Sequence, residues 1–213
     1  MKSVMISIKP KWCELIANGK KTIEIRKTRP KIETPFKCYI YCTKDKIDTS
    51  PKTIWWKANS SGFRHIMNGK VIGEFVCDEI MTYAFSDVST DVGIFSYYER
   101  YVKNDCDCDC LTDDEIIDYG NGVTLYGWHI SELKIYDEPK KLTEFSITDK
   151  ESVKRCKYRQ QGGQPEYKTC HGGWIKGSWL CNKEIEYTTW CENCKTKSIS
   201  KPPQSWCYVD ELR

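Results

Sequence analysis

Residues 19–27, GKKTIEIRK, put Lys20, Lys21, Glu24 and Arg26 within seven positions of one another. Those residue types can do three kinds of chemistry. A neutral lysine is a nucleophile, and its pKa falls by desolvation or beside other cations. Lys20 and Arg26 would help Lys21 in that role, and Glu24 would oppose it. Alternatively, Glu24 is a general base that activates water while Lys21 polarises a carbonyl. In the third use, Glu24 pairs with Arg26 and orients Arg26 and Lys21 toward phosphate or a base edge. A carboxylate can also accept a hydrogen bond from the exocyclic amine of cytosine. The plainer alternative is an exposed strand with surface ion pairs, each worth little. Lys9 ends the preceding strand and can line the same cleft. The candidates are thus Lys21 and Glu24 for catalysis, and Lys9, Lys20 and Arg26 for nucleic-acid binding.

The thirteen cysteines pose a second question. Cys191 and Cys194 form a C-x-x-C knuckle, and Cys170 and Cys181 are the first choice to complete a tetrahedral structural zinc site. Cys156, His171 and Cys207 are alternates. A cysteine-rich segment with a poor core gains the stability it lacks from such a metal. CDCDC (106–110) alternates too tightly for a tetrahedral site by itself and reads as a loop with incidental thiols. Cys13, Cys38, Cys42 and Cys77 fall on expected helix or strand and read as small core side chains.

These residues need elements to hold them. Val4–Ile8 reads as a strand, and Pro10 suits the first turn of a helix that carries Trp12, Leu15 and Ile16 on one face. Gly19 is placed to end it in a left-handed cap. The period then changes to two: Thr22, Glu24 and Arg26 point one way, Ile23 and Ile25 the other. That alternation sends Lys21 away from Glu24, although its place beside the Gly19 turn leaves its direction open. Trp12 reads as core. Strands are expected over 37–42, 69–80 and 123–136, the last as a pair or one bent strand. Trp128 and His129 on it read as structural. Residues 45–68 read as a loop or short helical insertion, and 91–104 as a helix. Thr112 and Glu115 make a capping box for a helix that Gly120 ends. From about 150 apolar periodicity fades, and the Pro-stiffened tail KPPQSWCYVDEL packs back on the core.

Charge is uneven. Residues 1–31 hold nine Lys/Arg against two Asp/Glu, a net of +7, whereas 74–118 hold thirteen Asp/Glu against two Lys/Arg, a net of −11. A polyanion would be drawn to the first block and repelled by the second. No apolar run has the length of a membrane span, and MKSVMISIKP is too short in apolar residues for a signal peptide. A cytoplasmic protein without membrane association is expected.

The order strand, short helix, then a G-x-K-x-x-E-x-R strand resembles the ASCH domain of the PUA-like superfamily. Gly19, Lys21, Glu24 and Arg26 fill the motif. ISIKPKWCELIANG, VIGEFVCDEI, YGWHISEL and the tail PPQSWCYV are also similar to phage and bacterial ASCH proteins. The resemblance implies an α+β fold, a PUA-like β-barrel with flanking short helices, over 1–148. Residues 149–213 would form a small, loop-rich, cysteine-rich extension, with zinc as its structural metal. It implies binding of RNA or a modified nucleotide in a basic cleft. Some ASCH proteins are amidohydrolases that deacylate N4-acetylcytidine, with a lysine at the position of Lys21 and a threonine at that of Glu24. Others are nucleases. This chain keeps the lysine and departs at the threonine, so hydrolysis of an N4-acylated cytidine or of RNA through Lys21 and Glu24 is the alternative. A zinc-stabilised adaptor for a protein partner is the second alternative.

Overall fold

The computed structural model describes residues 2–44, 53–58, 62–99, 108–148 and 196–210. The elements run β1 (Lys2–Ile8), α1 (Pro10–Ala17), β2 (Ile23–Arg26), β3 (Phe36–Cys42), β4 (Thr53–Ala58), β5 (Gly62–Met67), β6 (Val71–Cys77), β7 (Ile80–Thr90) and β8 (Gly93–Glu99). Then come α2 (Asp113–Gly120), β9 (Leu125–His129), β10 (Ser131–Lys140), β11 (Ser146–Thr148), β12 (Thr196–Ser198) and β13 (Trp206–Asp210).

Two sheets make the body. One has the order β10-β6-β3-β1-β13, the other β2-β9-β7-β8. They are joined where β6 turns into β7 at Asp78–Glu79 and where β9 turns into β10 at Ile130. Passing strands from one sheet to the next in this way curls the pair around an apolar interior. Val4, Ile6, Cys38 and Phe75 fill it from the first sheet and Trp128 from the second, under Cys13 and Ile16 of α1. This is the expected α+β PUA-like barrel with short flanking helices. The four cysteines assigned to the core, Cys13, Cys38, Cys42 and Cys77, are all buried free thiols. Burial pushes the Cys13 and Cys38 thiols well above the usual range, so they remain protonated and unreactive.

The outer faces are covered as well. Ile23, Ile25, Met81 and Tyr83 pack under Ile116 of α2 and Tyr98 of β8. Met5, Tyr39 and Val71 pack under Phe145, Ile199 and Val209. So β2 is buried on both sides, all four residues of it. The tail returns as expected: β13 pairs antiparallel with β1, Ile6 opposite Trp206. β12 pairs with β11, Thr148 opposite Thr196.

Three local readings are corrected. Residues 53–58 and 62–67 form an antiparallel β4–β5 ladder, not a loop or helix. Gly93–Glu99 is strand, not helix, laddered to β7 from Thr90–Gly93 to Ala84–Glu99. Its aromatic and β-branched residues favour a pleated surface, and a ready partner strand lies just across a tight turn. The capping box on α2 is present, Thr112 Oγ1 accepting from Glu115 N and Glu115 returning to Thr112 N. The left-handed cap is Asn121 at φ 51, one residue after Gly120.

Gly73 sits where β6 meets β10 so closely that a Cβ would lie 2.5 Å from the Lys134 carbonyl. Backbone in a paired strand cannot move aside, and overpacking of this kind costs about 1–3 kcal/mol. Gly73→Ala is expected to lower the urea midpoint accordingly, without changing the slope of the transition.

Candidate functional site

The motif begins at a turn. Lys9, extended at φ −68 and ψ 149, precedes Pro10, and its carbonyl accepts from Trp12 N and Cys13 N at 3.0 Å each. Gly19 closes the helix at φ 68, with its N–H on the Ile16 carbonyl at 2.9 Å. Lys20 N and Lys21 N then both donate to Leu15 O, at 2.9 and 3.2 Å. This tight reversal leaves the Lys9 and Lys20 side chains exposed and turns Lys21 inward.

Lys21 is 2% exposed, Glu24 6% and Arg26 9%. Glu24 holds the other two. Its Oε1 lies 2.9 Å from Arg26 Nη2 and its Oε2 3.7 Å from Lys21 Nζ. The turn thus overrides the alternation that would have parted Lys21 from Glu24. Lys21 Nζ also donates to the main-chain carbonyl of Asp109 and lies 5.1 Å from the centre of the Trp12 ring. Arg26 Nη2 donates to the Ser7 carbonyl at 2.6 Å. Trp12 packs against the core as expected while presenting its face to the ammonium. An exposed strand with loose surface pairs is not what forms. Two cations and one carboxylate are buried together, and the Asp109 and Ser7 carbonyls each accept one further bond from the cations.

Asp109 had no signal in the sequence beyond its place in CDCDC. Its segment is a partner of the motif: Thr22 N and Ile23 N donate to Cys108 O at 2.9 and 3.1 Å, and Cys108 N donates to Thr22 Oγ1 at 2.9 Å. Trp128 lies opposite Glu24 in the β2–β9 ladder and is fully buried. Its indole Nε1 and Arg26 Nε are buried donors with no hydrogen-bond partner among the described residues. His129 faces the other way and lies 2.7 Å from Asp78 Oδ1. Burial raises the Asp78 carboxyl, but hydrogen bonds, that from His129 foremost, hold it below its ordinary value.

The exposed cations are on the next loop. Lys27, Arg29 and Lys31 are exposed, and with Thr28, Glu33, Ile80 and Tyr126 they line a cleft of about 900 Å³. The Arg29 guanidinium lies 5.7 Å from the centre of the Tyr126 ring. Two side chains of β13 brace this loop: Trp206 Nε1 donates to Thr28 Oγ1 at 3.0 Å, and Lys31 N donates to Tyr208 Oη at 2.7 Å. The basic alternation 27, 29, 31 directly after the motif was visible in the sequence as part of the charged first block. Tyr126 and the bracing tail carried no such signal.

Cys170, Cys181, Cys191 and Cys194 lie outside the described residues, as do the alternates Cys156 and His171. Among the described residues no group of three or more His, Cys, Asp or Glu is placed to hold a metal. Nor, among them, is any helix long and apolar enough to cross a membrane.

Comparison with known proteins places these features in context. Residues 6–108 match the family model of the ASCH domain. Among solved structures, ASCH from Zymomonas mobilis is 18% identical, covering 78% of this chain and 84% of that one with a TM-score of 0.42. A tyrosine-to-phenylalanine mutant of the same protein is 19% identical over 67% of this chain and 77% of that one, also with a TM-score of 0.42. No curated protein matches.

Proposed function

Residues 6–108 match the family model of the ASCH domain, and we propose that this chain binds RNA or a modified nucleotide in the basic cleft beside the Lys21–Glu24–Arg26 triad. The observation that carries this reading is the division of labour among the charges. The triad is buried and internally paired, while Lys27, Arg29 and Lys31 stand exposed on a cleft of about 900 Å³. That volume suits a nucleotide-sized ligand. The three cations meet phosphates, and Tyr126 with Arg29 offers a face on which a base stacks. Lys9 and Lys20 extend the positive surface. The triad anchors β2, from which the loop springs.

The 3.7 Å approach of Lys21 to Glu24 supports the hydrolytic alternative. In that reading Glu24 activates water and Lys21 polarises the acyl carbonyl of an N4-acylated cytidine. Lys21 is not the nucleophile there, because its amine is turned onto the Asp109 carbonyl and Glu24. Within residues 149–213, we propose that Cys170, Cys181, Cys191 and Cys194 hold a structural zinc.

The test is fluorescence anisotropy with a labelled single-stranded RNA over a range of salt, using the parent and Lys27→Ser/Arg29→Ser/Lys31→Ser. The parent is expected to bind with strong salt dependence. The triple variant should lose about ten- to a hundredfold in affinity at 0.1 M salt, and the log–log salt slope should shrink by about 2. Equal binding by the two proteins would remove the cleft from the reading. Turnover of N4-acetylcytidine by the parent would move the assignment to the amidohydrolase.

A further inference from the structure

The segment that holds Lys21 carries two thiols side by side. Cys108 Sγ and Cys110 Sγ are 3.1 Å apart. Cys108 is exposed and Cys110 partly so. Cys110 takes the left-handed conformation at φ 57, its N–H donates to Cys108 Sγ at 3.2 Å, and its own Sγ lies on the Lys20 carbonyl at 3.2 Å. Hydrogen bonds from Cys108 N to Thr22 Oγ1 and from Leu111 N to Asp109 Oδ1 fix the turn on either side. The residue between the thiols is Asp109, whose carbonyl receives the Lys21 ammonium.

We infer that Cys108 and Cys110 are a site of reversible oxidation, converted by a peroxide to a disulfide that alters the seat of Lys21. Disulfide bonding needs the sulfurs at about 2.05 Å, so a shift of roughly an ångström closes them. The ring so formed runs through the backbone of Asp109, including its carbonyl carbon. Closing it therefore reorients the carbonyl that Lys21 uses, and it takes Cys110 Sγ off the Lys20 carbonyl.

The chemistry balances with hydrogen peroxide as oxidant. The Cys108 thiolate attacks one peroxide oxygen, the O–O bond breaks, and hydroxide leaves, taking up the thiol's proton as water. Cys108 is then a sulfenic acid. The Cys110 sulfur attacks the Cys108 sulfur, the S–O bond breaks, and the departing hydroxide leaves as a second water with the Cys110 proton. Two thiols are oxidised to one disulfide and one peroxide is reduced to two waters. Exposure makes Cys108 the sulfur that meets the oxidant. Burial, with Cys108 beside it, pushes the Cys110 thiol up to about 11, so Cys110 is the less ionised of the two and is not the sulfur that attacks peroxide first.

The experiment uses the full chain with Cys106→Ser, so that the neighbouring thiol cannot exchange. The protein is treated with hydrogen peroxide, then digested and weighed. The peptide that contains Cys108 and Cys110 should lose the mass of two hydrogen atoms and regain it with dithiothreitol. Adding Cys108→Ser or Cys110→Ser should abolish the loss. In parallel, Lys21 labelling by an amine-directed reagent should rise several-fold on oxidation and return on reduction. A peptide that keeps both thiols, or passes straight to sulfinic acid, overturns the site. A disulfide that leaves Lys21 labelling unchanged overturns the coupling. Neither readout depends on RNA binding, so the proposal and the functional reading can fail separately.

Discussion

Glu24→Ala is expected to destabilise the protein by roughly 3–5 kcal/mol, the cost of leaving buried charge without its counter-ion. The carboxylate is 6% exposed and faces two cations, Lys21 and Arg26, both at least as well hidden as a core residue needs to be. Removing it strands both. Equilibrium unfolding in urea measures the loss. A second variant tests the cause. Lys21→Met/Glu24→Met/Arg26→Met removes all three charges together, and it should recover much of the stability, because well-packed apolar side chains often replace a buried charge cluster at little cost. If Glu24→Ala leaves the midpoint unchanged, the carboxylate faces solvent or ligand, and its role as the anchor of β2 is wrong.

Trp128→Ala should be as severe, at about 3–5 kcal/mol for a buried aromatic truncated to a methyl. Trp128 is fully buried and makes edge contact with Phe36 at 5.8 Å between ring centres. It also packs on Trp206, 5.9 Å away on β13. The loss is therefore expected to spread. With Trp128 gone, Trp206 loses its support, and the indole that braces Thr28 is no longer held. Protease cleavage near 200–205 should become faster in Trp128→Ala by more than the global destabilisation predicts. Trp128→Phe keeps an aromatic surface and should keep the tail in place. Cleavage that follows global stability alone in both variants would dismiss this link between core and tail.

The motif shows what was legible in the sequence and what was not. Gly19, Lys21, Glu24 and Arg26 were recognisable by spacing, and the helix start at Pro10 and the stop at Gly19 followed from backbone chemistry that any chain must obey. The burial of that motif was not legible. Alternation along β2 separates an apolar from a charged face, and a charged face reads as exposed. What hides it is tertiary: α1 folds over one end, and the Asp109 segment, more than eighty residues on, supplies the carbonyl for Lys21. β8 escaped for a related reason, since a short aromatic and β-branched run shows no periodicity that separates strand from helix until its partner, β7, is known. Trp206 and Tyr208 resembled the family's tail, but only the β1–β13 pairing reveals that they hold the loop carrying Arg29.

The pairing of β11 with β12 brings Thr148 opposite Thr196. The two ends of the stretch 149–195 therefore stand side by side, as a neck of two paired strands. Antiparallel neighbours of this kind can be joined by a two-residue Asn-Gly turn, which would turn the neck into a plain hairpin. The length and content of the stretch between these ends can be changed while the cleft, the triad and the returning tail strand stay as they are, since loop closure grows only slowly more costly with length. The β11–β12 pair is in effect a socket: it fixes where an insert is attached and leaves its size open.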